Sequence, residues 1–217
     1  MDDSIEHYWQ MRLESCKKSL EENRFGPFIA KDAAHAREIV LKEILPRIEV
    51  KTMSWGDSMT FYDTGLLNIF RRDPDLDIIE TFDSTISREE SIERRRQALL
   101  ADLFVTGTNA VTEKGQLVNL DMIGNRVAGI TFGPKHVIIF VGRNKIVPDL
   151  EAAMFRIRNY AAPTNAIRHH IKTPCVETSY CQNCKSPQRI CNTWTITEKS
   201  FPKDRIKVIL INGELGL

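Results

Sequence analysis

Cys175, Cys181, Cys184 and Cys191 fall within seventeen residues, spaced C-x5-C-x2-C-x6-C, while Cys16 stands far away in the chain. The stretch around the four is polar and carries Pro174 and Pro187, so packing does not account for four thiols there. Cysteines two residues apart put two sulfurs on one tight turn. That suits tetrahedral thiolate coordination of zinc or ligation of an iron–sulfur cluster. Two disulfides are the competing account, which a reducing compartment disfavours. The spacing is neither a common zinc-finger pattern nor the ferredoxin run, so it does not separate Zn²⁺ from a [4Fe–4S] cluster. Lys185 and Arg189 would offset the charge of the thiolates. His169 and His170 lie close by in sequence but complete no recognised ligand pattern.

A second set of residues points to anion binding. Ser54-Trp55-Gly56-Asp57-Ser58-Met59-Thr60 follows a short apolar run and precedes a helical pattern. A strand, a turn rich in Gly and hydroxyls, then a helix start is a layout that presents free N–H groups to a phosphate or carboxylate; many such turns only cap their helix. Thr106-Gly107-Thr108-Asn109-Ala110 closes another apolar run with small polar residues suited to an exposed-amide turn. Asn119, Asp121, Asn125 and Arg126 form a dense polar set, in which Arg126 could hold a carboxylate or phosphate. The alternative is an internal network. Asn144 and Lys145, just past the most hydrophobic run, are placed to meet a substrate anion. Glu113 and Asp121 are the carboxylates expected to face such a pocket, either as general base, although Glu113 also fits a plain turn.

The elements that must position these groups read as α/β. Ile5, Trp9, Leu13, Cys16 and Leu20 recur at helical spacing, so residues 4–23 form an amphipathic helix with Cys16 as a buried small hydrophobe. Its apolar face serves either the core or a partner, including a second copy of the chain. Asp32 caps a second helix that ends near Pro46. Strands are expected at 50–53 and 76–81, with a helix opened by Ser87 and running through Leu100. The run Glu93-Arg94-Arg95-Arg96 reads as a solvated face. Alternating helices and strands imply a mostly parallel sheet with helices on its faces. Segments 103–106, 116–120, 126–131 and 136–141 then follow too closely for intervening helices, which implies an inserted antiparallel excursion turning at Gly115. Helical patterns follow Pro148, and strands at 193–197 and 205–211 close the fold. The expected organisation is an N-terminal helix (1–30), an α/β core (31–172), a cysteine loop (173–192) and closing strands of the same domain (193–217).

Composition narrows the function classes. The 217 residues hold 30 Lys and Arg against 29 Asp and Glu, a net charge of +1, so no global field favours nucleic acid or a membrane surface. No apolar run approaches a membrane span, and the N-terminus has no signal-peptide core, so a cytoplasmic protein is expected.

Thr106–Glu113, the segment LVNLDMIGNRVAGITFGPKHVI and the segment VGRNKIVPDLEAA together resemble the lactate-utilisation (LUD) domain family, formerly DUF162. Ser54–Thr60 is similar to the early loop of that group, and the four-cysteine loop resembles a short subgroup of stand-alone members. The resemblance implies an α/β fold similar to the sugar-phosphate isomerase and CoA-transferase superfamily, in which Gly- and hydroxyl-rich loops bind phosphate or a cofactor arm. Fold alone does not fix the reaction.

Two expectations follow. The first is an enzyme or subunit of lactate or related organic-acid metabolism. It would hold a small anionic metabolite at 54–60, 106–113 and 119–126, with a [4Fe–4S] cluster on the cysteines exchanging electrons with a redox partner. The second is a non-redox metabolite-binding or accessory protein with structural zinc.

Overall fold

The computed structural model describes residues 3–217. In chain order the elements are α1 (Asp3–Glu22), β1 (Gly26–Ala30), α2 (Ala33–Ile39, extended by a π turn and a 3₁₀ turn to Arg47), β2 (Thr52–Trp55), α3 (Met59–Asp63), α4 (Leu66–Phe70), β3 (Asp77–Ile78) and α5 (Arg88–Gln97). They continue with β4 (Leu103–Gly107), β5 (Ala110–Thr112), β6 (Leu117–Asp121), α6 (Asn125–Thr131), β7 (His136–Gly142), β8 (Ile146–Val147), α7 (Leu150–Arg156), α8 (Ala162–Arg168), α9 (Pro174–Thr178), β9 (Thr193–Thr197) and β10 (Ile206–Ile211).

Six strands form a sheet in the order β1-β10-β7-β4-β2-β3, and every neighbouring pair is parallel. The α/β expectation therefore holds, with the sheet fully parallel. The reason lies in β7. Ile138 and Phe140 enter one apolar cluster with Met53, Trp55, Phe61 and Ile209. Val137, Ile139 and Val141 enter the other, with Leu13, Leu20, Phe104 and Val208. A strand buried on both faces must be apolar at every position, as parallel strands covered by helices are. β1 was not foreseen. Gly26-Pro27 opens it, and a proline is tolerated because β1 lies on the sheet edge.

The inserted excursion is a second sheet, β8-β5-β6-β9, in which β5–β6 and β6–β9 are antiparallel and β5–β8 is parallel. One part of the expectation fails: 126–131 is not a strand but lies within α6. Val127, Gly129 and Thr131 alternate as a strand would, yet the buried side chains are those of Val127 and Ile130, three apart, beside the buried Gly129, and Ala128 N donates to Gly124 O at 2.8 Å. The first thirty residues also share the main core, since Leu13, Cys16, Leu20 and Phe25 pack with β7 and β10.

α1 is pinned to the excursion at the turn after β5. Gly115 has φ +76°, and a Cβ there would stand 2.8 Å from the backbone carbonyl carbon of Ser19. Asn23 Nδ2 donates to the carbonyls of Lys114 (2.7 Å) and Gly115 (3.3 Å). Both the left-handed backbone and the close approach call for glycine. Gly115→Ala is therefore expected to destabilise the protein by about 1–3 kcal/mol. A thermal melt checks this, and an unchanged Tm would mean that α1 does not rest on this turn.

Candidate functional site

β2, β4 and β7 run in parallel, so the loops that follow them emerge on one side. Ligands of such sheets sit at the carboxyl ends of the strands. There the loops after β2 and β4, the end of β6, the start of α6, Lys145 after β7, and α8 enclose an open cavity of about 390 Å³. Of the residues expected to bind substrate, Asp57, Ser58, Gly107, Thr108, Asn109, Asn125, Arg126 and Lys145 line it, as does Asp121.

Arg126 organises the wall. Its Nε donates to Asp121 Oδ2 at 3.2 Å, and Nη2 donates to Asn109 Oδ1 and Leu120 O, each at 2.9 Å. Asn109 Oδ1 also accepts from Leu120 N at 3.0 Å, while Asn119 Oδ1 accepts from Asn109 N (3.2 Å) and Thr108 Oγ1 (3.1 Å). The stem of Arg126 lies against Gly56, where a Cβ would meet Arg126 Cγ at 3.0 Å and Thr106 Oγ1 at 2.6 Å. Gly56 thus gives room to the guanidinium rather than contacting a ligand itself. The remaining nitrogen of Arg126, Nη1, has no partner among the described residues, which leaves two donors for an anion.

Arg156 braces the floor from beneath. Its Nη1 donates to Asn109 O at 2.8 Å and its Nε to Asn144 O at 3.1 Å, tying the loop after β4 to the loop after β7. Lys145 is buried at 5% exposure, and its Nζ donates to Thr60 Oγ1 at 2.9 Å. No carboxylate forms an ion pair with it among the described residues. Burial, then the charges of Arg156 and Arg126, lower its pKa from the ordinary 10.5 to about 7. Thr60 Oγ1 donates in turn to Leu215 O at 3.2 Å, and Asn144 Oδ1 accepts from Leu215 N at 3.2 Å, so the segment 215–217 closes one side of the cavity.

Several expected residues stand behind the wall. Ser54 Oγ donates to Ile79 O at 2.9 Å, and Thr106 and Asn119 are buried. Glu113 does not line the cavity. It follows β5 toward α1 and pairs with Arg12 at 2.5 Å, beside Cys16, whose thiol burial pushes up to about 12. Asp121 does line the cavity, with Oδ2 on Arg126 and Oδ1 accepting from Gly124 N at 3.4 Å. Other lining residues carried no local signal. Arg168 and His169, at the end of α8, both meet Asp57 Oδ2, His169 Nε2 at 3.2 Å. Phe82 and Arg95 flank the mouth, with the Arg95 guanidinium 5.4 Å from the Phe82 ring centroid, so Arg95 is not simply part of a solvated face.

The four cysteines line one small hollow of about 30 Å³ together with Arg158, Ala162, Pro163, Thr173 and Ile190. The Cys191 thiol is pushed up to about 11, by burial first; Arg189 opposes this, and the nearby Cys181, Cys175 and Cys184 add to it. Arg189 shapes the loop by donating to the carbonyls of Cys184 (2.6 Å) and Cys191 (2.8 Å). Among the described residues no three His, Cys, Asp or Glu side chains gather closely enough to hold a single metal ion. Ala162, Ile190 and Cys191 also line the larger cavity, so the two hollows share a wall.

Lys145 gives this site a measurable pH signature. Between about 7 and the ordinary 10.5, the unfolded chain binds a proton at this position that the folded chain does not. Stability contributed by the group therefore rises with pH over that window. Lys145→Met, which removes the penalty, is expected to raise Tm by a few degrees at pH 7, with an advantage that shrinks as pH approaches 10. Melts of both proteins across this range check it; a constant difference would mean the amine stays charged in the folded protein.

No match was found among curated proteins. One solved structure that resembles the chain is a DUF162 family protein from Deinococcus radiodurans, 12% identical, with 94% of this chain and 98% of that chain covered at a TM-score of 0.49. No helix among the described residues is long and apolar enough to cross a membrane. The LUD domain family matches residues 13–211, nearly the whole length from mid-α1 to the end of β10. The chain belongs to the LUD domain family.

Proposed function

We propose that this LUD domain protein is an enzyme, or the subunit of one, in lactate or related organic-acid metabolism, that it takes a small carboxylate into the strand-end cavity, and that its four cysteines hold an iron–sulfur cluster beside that cavity. The observation that carries the reading is the shared wall of Ala162, Ile190 and Cys191 between the anion cavity and the cysteine hollow. Bound there, such a cluster would supply one-electron transfer next to the bound acid.

The chain's own residues have separable tasks. Arg126 offers its outward nitrogen to the carboxylate while Asp121 and Asn109 fix its plane. Arg168, held by Asp57, lines the same cavity and adds positive charge there. Phe82, Met122, Ile123 and Ile157 supply apolar surface and exclude water around a short carbon chain. For the cysteines, four thiols that line one hollow could hold a cluster, in which each sulfur would bind its own iron. The same four thiols would also suit a single zinc, drawn to about 2.3 Å from it, and metal analysis separates the two.

Anaerobic purification with iron and sulfide analysis and an absorption spectrum tests the cluster. Iron and acid-labile sulfide with a brown chromophore are expected, and stoichiometric zinc without colour would overturn the redox half of the reading. Cys184→Ser is expected to lower Tm, because a loop stapled by a metal group loses its anchor. For the cavity, lactate is expected to raise Tm. Arg126→Lys, which cannot reproduce a planar, braced guanidinium, is expected to weaken that binding roughly tenfold, about 1.4 kcal/mol. Equal affinity in the two proteins, read from thermal-shift titrations, would remove Arg126 from the binding role.

A further inference from the structure

From the cavity geometry we infer that Lys145 is a nucleophile that forms an imine with the carbonyl of a 2-oxo acid held in the strand-end cavity. This rests on the reading of that cavity as a carboxylate site and names its substrate class more narrowly.

Three observations meet at this residue. Lys145 lines the cavity although almost all of its surface is covered. A lysine kept only for charge would be paired with an acid, yet the one carboxylate that acts on this amine, Asp63, forms no ion pair with it among the described residues, and its one hydrogen bond there is the 2.9 Å contact to Thr60 Oγ1. Thr60 Oγ1 is itself committed as a donor to Leu215 O, so it accepts from the amine and fixes its direction. The nearest charges that oppose a charge on Lys145 are those of Arg156 and Arg126. An amine that is desolvated and set beside cations loses its proton more readily, with Asp63 acting the other way, and a larger neutral fraction with its lone pair available is how lysine nucleophiles are activated.

Arg126 lines the same cavity and has its Nη1 turned free. A molecule with a carboxylate next to a carbonyl can satisfy both groups at once, the carboxylate on Arg126 and the carbonyl carbon on Nζ. The nitrogen lone pair adds to that carbon, forming the C–N bond as the C=O π pair moves onto oxygen. The oxygen then takes up two protons, the equivalent of both amine hydrogens, and departs as water, leaving C=N. Nothing is oxidised or reduced. A 2-hydroxy acid has no carbonyl and can bind only through its carboxylate, so the covalent state distinguishes the oxidised acid from the reduced one.

The test uses the full chain at pH 8 with pyruvate or lactate, each with and without sodium cyanoborohydride, followed by intact-mass measurement and peptide mapping. Pyruvate with the reductant is expected to add one carboxyethyl group, located on Lys145, and lactate none. Lys145→Met, an uncharged chain of similar length that avoids the cost of burying an amine, is expected to fold and to show no adduct. If pyruvate raises Tm yet leaves Lys145 unmodified, or if the same adducts appear in Lys145→Met, the imine is refuted while the carboxylate cavity stands. If neither acid alters Tm and no adduct forms, the cavity reading falls and this inference with it.

Discussion

The site depends on positive charge held in a poorly hydrated place with few acids to balance it. Arg126, Arg156 and Lys145 lie near one another at the ends of the central strands, and Asp121 bonds only the first of them. Burying charge without compensation is costly, so each group must be solvated by protein. Arg156 is solvated by the carbonyls of Asn109 and Asn144, which at the same time fastens two loops that the sheet alone would leave separate. Arg126 is satisfied by Asp121, Asn109 and the Leu120 carbonyl. Lys145, whose one side-chain hydrogen bond is to the Thr60 hydroxyl, meets the same constraint through a lowered affinity for its proton. The local shape of the loops follows from where these three groups find partners.

The second sheet makes that arrangement possible. A parallel sheet by itself presents only loop tips at its carboxyl edge. Here β5 and β6 leave β4 and return, placing Asn119 and Asp121 over the end of β4 and delivering the chain to α6, which carries Arg126. Thr108 closes the corner, with its hydroxyl within hydrogen-bonding distance of Ala110 O, Val118 O and Asn119 Oδ1. α7 seals the outer side of this layer against Ala110, Val118 and Leu120. The excursion is therefore one wall of the cavity and not an ornament on the sheet.

Much of this was legible in the residues because the signals were local. Continuous apolar runs marked β4 and β7, and Asp32 and Ser87 cap their helices as their side chains suggest. The polar set from Asn119 to Arg126 converges with Thr108 and Asn109 because all of them sit at the ends of adjacent strands. The misreadings have equally specific causes. α6 is short and rich in β-branched residues, so its strand-like alternation concealed a helical burial pattern. Glu113 was placed by its distance from a strand end, but that end points to α1, where Arg12 awaits it. Arg168, His169, Phe82 and Arg95 reach the cavity only through tertiary crossings, and nothing in their immediate neighbourhoods announces that.

The wall common to the two hollows has a thermodynamic consequence. Ala162, Ile190 and Cys191 line both hollows, so a shift of any of them on one side alters the surface of the other. Occupancy on either side then carries a linkage term, and linkage is reciprocal: whatever factor the first occupant imposes on the second's affinity, the second imposes on the first. Were both hollows filled as proposed, a partition of three residues would make the cysteine loop an effector of the cavity as well as its neighbour.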